Sequence, residues 1–579
     1  MPIKVGVTSG IYAVARSEEL ATPVKKLGYT ITRGASAMEI AADVAHEIPY
    51  THGLDMRHIA KKQGVDILFH GDLTVPMELP ERSEWRDAHD RMCKSVRSAV
   101  YAGAKYIDFH ASLNIWLELM TYAGRKLMSS FVDSEGRFIL HIMKECQPLR
   151  EWFVETRLDS YGRDLLTNEE LRLLNNIERQ KQRELDEILE RERTRLSQAL
   201  SNKEITLDEF QKKIDEVRKR EIGRIQNEIL EVNRLPLKKL ERGEAWASEE
   251  FRGTETLDGY HIMAHYLFYT KDPIWMEMAN IYSNVLSRYG LNYNDRMWLE
   301  KAWRSAENNN DKEFKEFFYA VVGAKYLEGH IKKTFEWMNK DFRKELATHP
   351  DGKELQEIAN KLVIAIENPD ARDPSHAGMY ILWRLKQIYA AVKTTRRTLK
   401  TNRVAIIIDH EHIASQGHDA WLEVAETAKQ IPDYGTLVIS IHSNHPNPLH
   451  PHEPIEFGDV KLYELLHTWR RTGFGKNGLA YLIFERGGGE DPFKRSVEAL
   501  KLMATYLEKD TEPKNLPLEF FGIKGPVSGM MERQLQIIRD HAYEPLKDLL
   551  DMPEEEWGIL SAEARRKGRA EVWKKAEMR

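Results

Sequence analysis

Short apolar runs that end in a histidine or an acid recur along this chain: DILFH at 66–70, YIDFH at 106–110, LVIAIE at 362–367, AIIIDHEH at 405–412, LVISIH at 437–442 and LAYLIFE at 479–485. Such runs are too short for helices and carry too few polar residues for a half-exposed strand. They read as strands buried on both faces, the pattern of a parallel sheet covered by helices. In the first block, Ile3–Thr8, Gly28–Thr32, Val65–His70 and Ala104–His110 read as strands, and Met38–Glu47, Met56–Gln63 and Trp85–Ala102 as helices. The alternation resumes near Lys361, with strands at Leu362–Glu367, Val404–Asp409, Leu437–His442 and Leu479–Glu485. Strands separated by helical stretches predict βαβ units.

Between these blocks the rhythm stops. From about Trp116 to Leu355 the sequence is helical in period, with almost no strand signal. Thr167 with Glu170, and Thr206 with Glu209, have capping-box spacing. Leu185, Leu189, Leu196 and Leu200, then Ile214, Val217, Ile225, Ile229 and Val232, form apolar stripes on either side of a break near 201–204, and Pro236 ends the second. This predicts an antiparallel, coiled-coil-like hairpin over about 165–236. The stretch of about 245–345 is crowded with aromatics, among them Tyr260, Phe268, Trp275, Trp298, Trp303, Phe317 and Phe318. They are expected to fill the core of a helical subdomain. The expected organisation is a first barrel part at 1–130, a helical insertion at 131–355, a second barrel part at 356–530 and a helical tail at 531–579. An insertion leaving after the His110 strand is placed to roof the barrel mouth.

The 579 residues exceed the roughly 250 that one barrel needs, which leaves room for this insertion. A formal charge of −6 argues against coating nucleic acid by bulk charge, although a local basic patch is compatible with it. Only Cys93 and Cys146 are present, so the chain has no disulfide framework and a reducing cytoplasm is the expected setting. The opening MPIKVGVTSG lacks the apolar core of a signal peptide, and no apolar run is long enough for a membrane span.

The chemistry lies in what ends the strands. His70, His110, Glu367, Asp409, His442 and Glu485 stand at carboxyl ends of predicted strands, His412 one helical turn after Asp409, and His450 and His452 in the loop beyond His442. In a closed parallel barrel these ends meet at one face, where a mixture of imidazole and carboxylate suits zinc. His450-Pro-His452 is stiffened by its proline. After Glu485 come Arg486, Gly487 and Gly488, residue types that suit a phosphate, and His445 lies in the loop after His442.

Read in order, HGDL at 70–73, HAS at 110–112, IEN at 366–368, DHEH at 409–412, HSNHP at 442–446, HPHEP at 450–454 and FERGGG at 484–489 resemble the endonuclease IV family of apurinic/apyrimidinic endonucleases, in the xylose isomerase-like superfamily of (β/α)8 TIM barrels. The resemblance covers roughly 1–130 and 360–510 and leaves out the insertion. It implies three zinc ions: one on His70, His110 and Glu367; a second on Glu367, Asp409, His442 and Glu485; a third on His412, His452 and the residue two before it. The family has an aspartate at that last place, where this chain has His450. It further implies phosphodiester hydrolysis on nucleic acid, abasic or otherwise modified, as in DNA repair, with Glu367 and Glu485 as the catalytic carboxylates. Zinc, or manganese, is the expected cofactor, two or three ions in number. The loop after His70 lacks the aromatic that the family turns toward DNA. A sugar isomerase or epimerase of the same superfamily is the alternative, since it needs only Glu367, Asp409, His442 and Glu485 around one ion. The hairpin leaves a homo-oligomer or a protein partner open.

Overall fold

The structure, a computed structural model, describes residues 3–8, 23–40, 48–73, 75–112, 129–161, 168–233, 252–253, 257–371, 380–447, 449, 452–485 and 493–523. Eight strands close into a barrel: β1 (Ile3–Thr8), β2 (Ala37–Ile40), β3 (Asp66–His70), β4 (Tyr106–His110), β5 (Val363–Glu367), β6 (Val404–Asp409), β7 (Val438–His442) and β8 (Ala480–Phe484). Every neighbouring pair is parallel and the order around the barrel follows the chain, β1 pairing with β8 to close it. This is the expected TIM barrel, with a large helical insertion between β4 and β5.

Two apolar populations explain the uninterrupted strand runs. Val5, Ile67, Phe69, Ile107, Ile364, Ile366, Ile406, Ile408 and Leu482 belong to the main core with the helices. Ala37, Leu68, Tyr106, Ala365, Ala405, Ile407, Tyr481 and Ile483 form a separate cluster. Successive side chains on a strand alternate in direction, so this second set lines the barrel interior. Removing one such large aliphatic side chain costs about 2–5 kcal/mol, because the closed wall cannot collapse into the gap.

One strand departs from the sequence reading. The segment at 28–32 lies within the helix Pro23–Thr32, and β2 is Ala37–Ile40, within a stretch read as helix from Met38. Alanine, methionine and glutamate are all good helix formers. In a four-residue strand buried on every side, pairing with β1 and β3 overrides that preference.

The hairpin is formed by helices Asn168–Ser201 and Leu207–Asn233. Ion pairs Lys181–Glu228 at 2.6 Å and Arg224–Glu184 at 2.9 Å show that the helices run antiparallel. At the second start, Thr206 N–H donates to Glu209 and Glu209 N–H to Thr206 Oγ1, a capping box in fact. Thr167 lies outside the described residues.

The aromatic-rich helices pack on the flank of the barrel. In the helix Lys312–Trp337, Phe314, Phe317, Phe318, Val321 and Ile331 are buried, and Asp311 caps its start. This helix packs against Arg82–Ala102 and Leu385–Leu399, the barrel helices on either side, and so occupies the outer layer beside β4 and β5. Gln387 donates to the Tyr282 hydroxyl and Gln430 to the Ile281 carbonyl, tying the neighbouring helices to the same flank. At the mouth, Tyr260 of the helix Leu257–Thr270 donates to the Glu78 carbonyl in the loop after β3. The insertion therefore supplies part of the barrel's own helical coat, and through Tyr260 it also reaches the loop after β3 at the mouth. An apolar face this wide is stable only against an equally apolar partner, and that partner is the barrel's flank.

Inside the barrel, a Cβ on Gly6 would lie 2.7 Å from both the Ala37 carbonyl oxygen and Ile483 Cδ1. Gly6→Ala is expected to destabilise by about 1–3 kcal/mol through overpacking. Gly28→Ala, on an exposed helical position with open space around it, is expected to stabilise by about 0.5–1 kcal/mol. Thermal unfolding of the two variants checks the opposite signs.

Candidate metal centre

Strand register brings the polar ends together. His110 pairs with Glu367 across β4 and β5, Asp409 with His442 across β6 and β7, and His70 with Asp108 across β3 and β4. An extra residue in β7 shifts its register on β6 between Ile406 and Ile407. Such a bulge re-aims the side chains beyond it and is common beside active sites. The polar ends share the inward parity of the interior cluster: Leu68 then His70, Tyr106 then Asp108 and His110, Ala365 then Glu367, Ile407 then Asp409, and Tyr481 and Ile483 then Glu485.

Two donor groups result. His70, His110 and Glu367 form one, and Glu367, Asp409, His412 and Glu485 the other, the ligand atoms of each lying within 4.8 Å of one another. Glu367 belongs to both. His70 Nε2 and His110 Nε2 each lie 3.4 Å from Glu367 Oε2. Around the second group, His442 Nδ1 lies 2.8 Å from Glu367 Oε1, 3.0 Å from Glu485 Oε2 and 3.6 Å from Asp409 Oδ2.

These groups are close, yet they do not satisfy one another. Both oxygens of Glu367, Asp409 Oδ2, Glu485 Oε2 and His442 Nδ1 are buried and find no hydrogen-bond partner among the described residues. Buried carboxylates demand compensation. Donor atoms that are near in distance but misaligned for hydrogen bonds are arranged as ligands are around a common point. The mixed nitrogen and oxygen set fits zinc or manganese.

Surrounding hydrogen bonds fix the ligands. His70 Nδ1 donates to the Gly71 carbonyl at 3.1 Å, which turns Nε2 toward Glu367. His412 Nδ1 donates to the Asn368 carbonyl at 2.7 Å. Asp409 Oδ1 caps the short helix His410–Ser415 by accepting from Glu411 N–H and His412 N–H, leaving Oδ2 for the centre. Asn368 exchanges two hydrogen bonds with the Asp409 backbone, and Asn444 does the same with Glu485. Such partners orient metal ligands and tune their basicity.

The other predicted residues are more scattered. His452 Nδ1 is 2.8 Å from Glu411 Oε2, and the residue sits at φ +49, a left-handed conformation costly to a side chain with a Cβ. Its backbone N–H also donates to Glu411. Among the described residues no third donor group forms around His452, and His412 belongs to the group of Asp409 and Glu485. His450, Arg486, Gly487 and Gly488 lie outside the described residues. His445 is partly exposed, its Nδ1 3.1 Å from Asp459 Oδ2 and its ring beside Trp421.

Two buried acids escaped the sequence reading. Glu39 on β2 lies 3.2 Å from His442 Nε2, and Asp108 on β4 lies 3.4 Å from His70 Nε2. Asp108 is two residues before His110, so period two alone marks it as inward. For Glu39 the only signal is that a sequential barrel requires a strand between Thr8 and Val65.

In the electrostatics of the cluster, protons take the part that cations would play. Burial pushes Glu367 upward, but His442, His412 and His110 hold its carboxyl well below the usual range. Glu485 is likewise held well below by His442 and His452, and Asp409 is lowered by His412 and His442, both against the effect of burial. Burial disfavours the charged imidazole of His412, yet Asp409 and Glu367 raise it to about 9. His70 and His442 are raised well above the usual range by their carboxylate neighbours, again against burial. His110 is lowered by burial. Burial raises Asp108 well above the usual range and brings Glu411 to about 7.

No protein family and no curated protein matches this chain. Among solved structures, a D-tagatose 3-epimerase-like protein is similar, with 9% identity, 88% of this chain and 100% of that chain covered, and a TM-score of 0.34. A likeness of that size says nothing about chemistry. The barrel rests on its own strand pairing. Among the described residues, no helix is long and apolar enough to cross a membrane.

The proton inventory sets a pH dependence. The His412 contribution to folding is fully present below its unfolded value of 6.5 and is lost as pH rises through about 9. Those of Glu367, Asp409 and Glu485 are present above the ordinary carboxylate range and lost as pH falls. Metal-free protein is therefore expected to lose thermal stability between pH 6.5 and about 9, and saturating Zn²⁺ to abolish that loss. Melting curves with and without metal test the first point. Titration calorimetry in buffers of different ionisation enthalpy tests the second, since Zn²⁺ binding at pH 7 should release protons.

Proposed function

We propose that this chain is a metal-dependent phosphodiester hydrolase that works at a cluster of divalent ions in the barrel mouth. The observation that carries the reading is the sharing of Glu367 between two donor groups. A carboxylate common to two such groups would serve both ions of a two-metal site, the kind of centre that acts on phosphoryl groups. Bound there, divalent ions would supply Lewis-acid polarisation of a phosphoryl oxygen and activate water near neutral pH. The protein's own part is positioning. His70 and His110 hold one side, Asp409, His412, His442 and Glu485 the other, and Glu367 fixes their separation. Glu485 and Glu367 are the carboxylates placed to orient the attacking water. His445, steadied at Nδ1 by Asp459, offers Nε2 to a substrate phosphate, and Arg486 with Gly487 and Gly488 is assigned to the same task on sequence grounds. The resemblance of the strand-end motifs to endonuclease IV supports nucleic acid, abasic or otherwise modified, as the substrate class, with the reaction in the cytoplasm.

A second reading has its own support. His442 Nδ1 lies within 3.6 Å of Glu367, Asp409 and Glu485, and these four residues around one ion are all that a sugar isomerase or epimerase needs. The two readings part at His70 and His110, which the second leaves without a task.

Native mass spectrometry of Zn²⁺-loaded protein is expected to show at least two ions per chain, and the loaded protein to cleave an oligonucleotide bearing an abasic site. His70→Ala should lower kcat on the order of 100-fold or more, as loss of an electrostatic stabiliser does. A single bound ion, with ketose epimerisation that survives His70→Ala, would establish the second reading instead. For His445→Ala the expected signature differs: KM for the oligonucleotide rises about tenfold while kcat changes little, consistent with a lost phosphate contact.

A further inference from the structure

The imidazole of His442 is fully buried and has two faces. Nδ1 looks toward Glu367, Glu485 and Asp409, at 2.8, 3.0 and 3.6 Å. Nε2 looks into the barrel, where Glu39 Oε1 lies at 3.2 Å and Glu39 Oε2 at 3.4 Å. Glu39 is itself fully buried on β2, and the Tyr106 hydroxyl donates to its Oε2. The Tyr106 ring meets Tyr481 edge-on with centroids 5.7 Å apart, and Tyr481 donates to Asp66, which pairs with Lys4 at 2.6 Å. A chain of polar groups and packed rings thus runs through the barrel interior from Lys4 at one end to the candidate metal centre at the other.

A neutral imidazole carries one N–H. With a carboxylate at Nε2, the proton resides there and the lone pair is left on Nδ1, aimed at the three outer carboxylates. The charge on Glu39 also makes that lone pair more basic. An aspartate at this position would be one methylene short of His442. An apolar residue, with no acceptor for Nε2–H, would leave the tautomer undetermined and allow Nδ1 to carry the proton where a cation should bind.

We infer that Glu39, pinned by Tyr106, is a positioning residue that fixes the tautomer and orientation of His442 as a metal ligand. The inference rests on the reading of the strand ends as a metal centre. It adds that the centre is built two layers deep, the inner layer coming from β2 and β4. Glu39 touches no substrate. Its effect passes chiefly through His442, so the ion held by His442 is predicted to respond more strongly than the one near His70 and His110.

The test uses the full chain loaded with Co²⁺, whose visible spectrum reports ligand geometry, and competition with a chelator for affinity. Glu39→Leu should weaken the ion held by His442 about 10–100-fold and alter its visible bands. Glu39→Gln, whose amide oxygen still accepts from Nε2–H, should recover most of the spectrum but only part of the affinity. Tyr106→Phe should show a smaller loss in the same direction, with circular dichroism unchanged in all three. If folded Glu39→Leu binds every ion with wild-type affinity and spectrum, the inference is overturned while the metal centre stands. If the wild-type chain binds no divalent ion at all, the centre itself fails, and Asp409→Ala as a parallel control should then change nothing.

Discussion

Buried negative charge is the constraint on which this molecule turns. Glu39, Glu367, Asp409 and Glu485 converge at one end of a closed barrel, the first three with no measurable exposure. A carboxylate held out of water without compensation costs several kcal/mol, and a group of them costs more than a domain's net stability. The neighbouring imidazoles of His70, His412 and His442 lower that cost by carrying protons, but the misaligned oxygens of Glu367 and Asp409 show that protons are a poor fit. The arrangement is intelligible when cations occupy the space between them. The ligands are held rigidly because each sits at a strand end in fixed register or is tied by Asn368 or Asn444 to its neighbour's backbone.

Such a site needs a scaffold that will not relax around it. The barrel provides one through its two apolar populations, one inside and one facing the helices. The helical insertion contributes to the outer one. By packing Lys312–Trp337 between the barrel helices Arg82–Ala102 and Leu385–Leu399, it covers the flank of β4 and β5, the strands that carry His110 and Glu367. The connection between these two strands is thus at once an elaboration and a structural part of the wall beneath the candidate centre. The charged hairpin is held differently: its helices are joined to each other by a narrow apolar seam with Leu185, Leu196 and Ile225 and by cross-helix ion pairs.

The strand ends were legible from the sequence because a β-strand buried on both faces is a continuous apolar run, and a polar residue that stops it is conspicuous. That logic located every barrel strand but β2, and with them His70, His110, Glu367, Asp409, His442 and Glu485. It failed at β2, where Ala-Met-Glu-Ile carries no β-branched residue until its last position and reads as helix in isolation. The failure hid Glu39. Asp108 was hidden differently: it lies inside an apolar run rather than at its end, and the signal that marks it is the alternation counted back from His110.

By itself, the sequence determined the alternating architecture, the helical interruption with its capped hairpin, and the residue types available at the barrel mouth, because these depend on local periodicity and composition. Tertiary structure decided the rest. Closure of the barrel set the register that places His110 beside Glu367 and Asp409 beside His442, which no local signal encodes. It made Glu367 common to two donor groups and drew His412 toward Asp409 and Glu485. It also turned the aromatic helices onto the barrel's flank. The physical reason is the same in each case: distances between residues far apart in the chain are fixed by hydrogen-bond register and packing across the whole fold, and neither exists until the barrel closes.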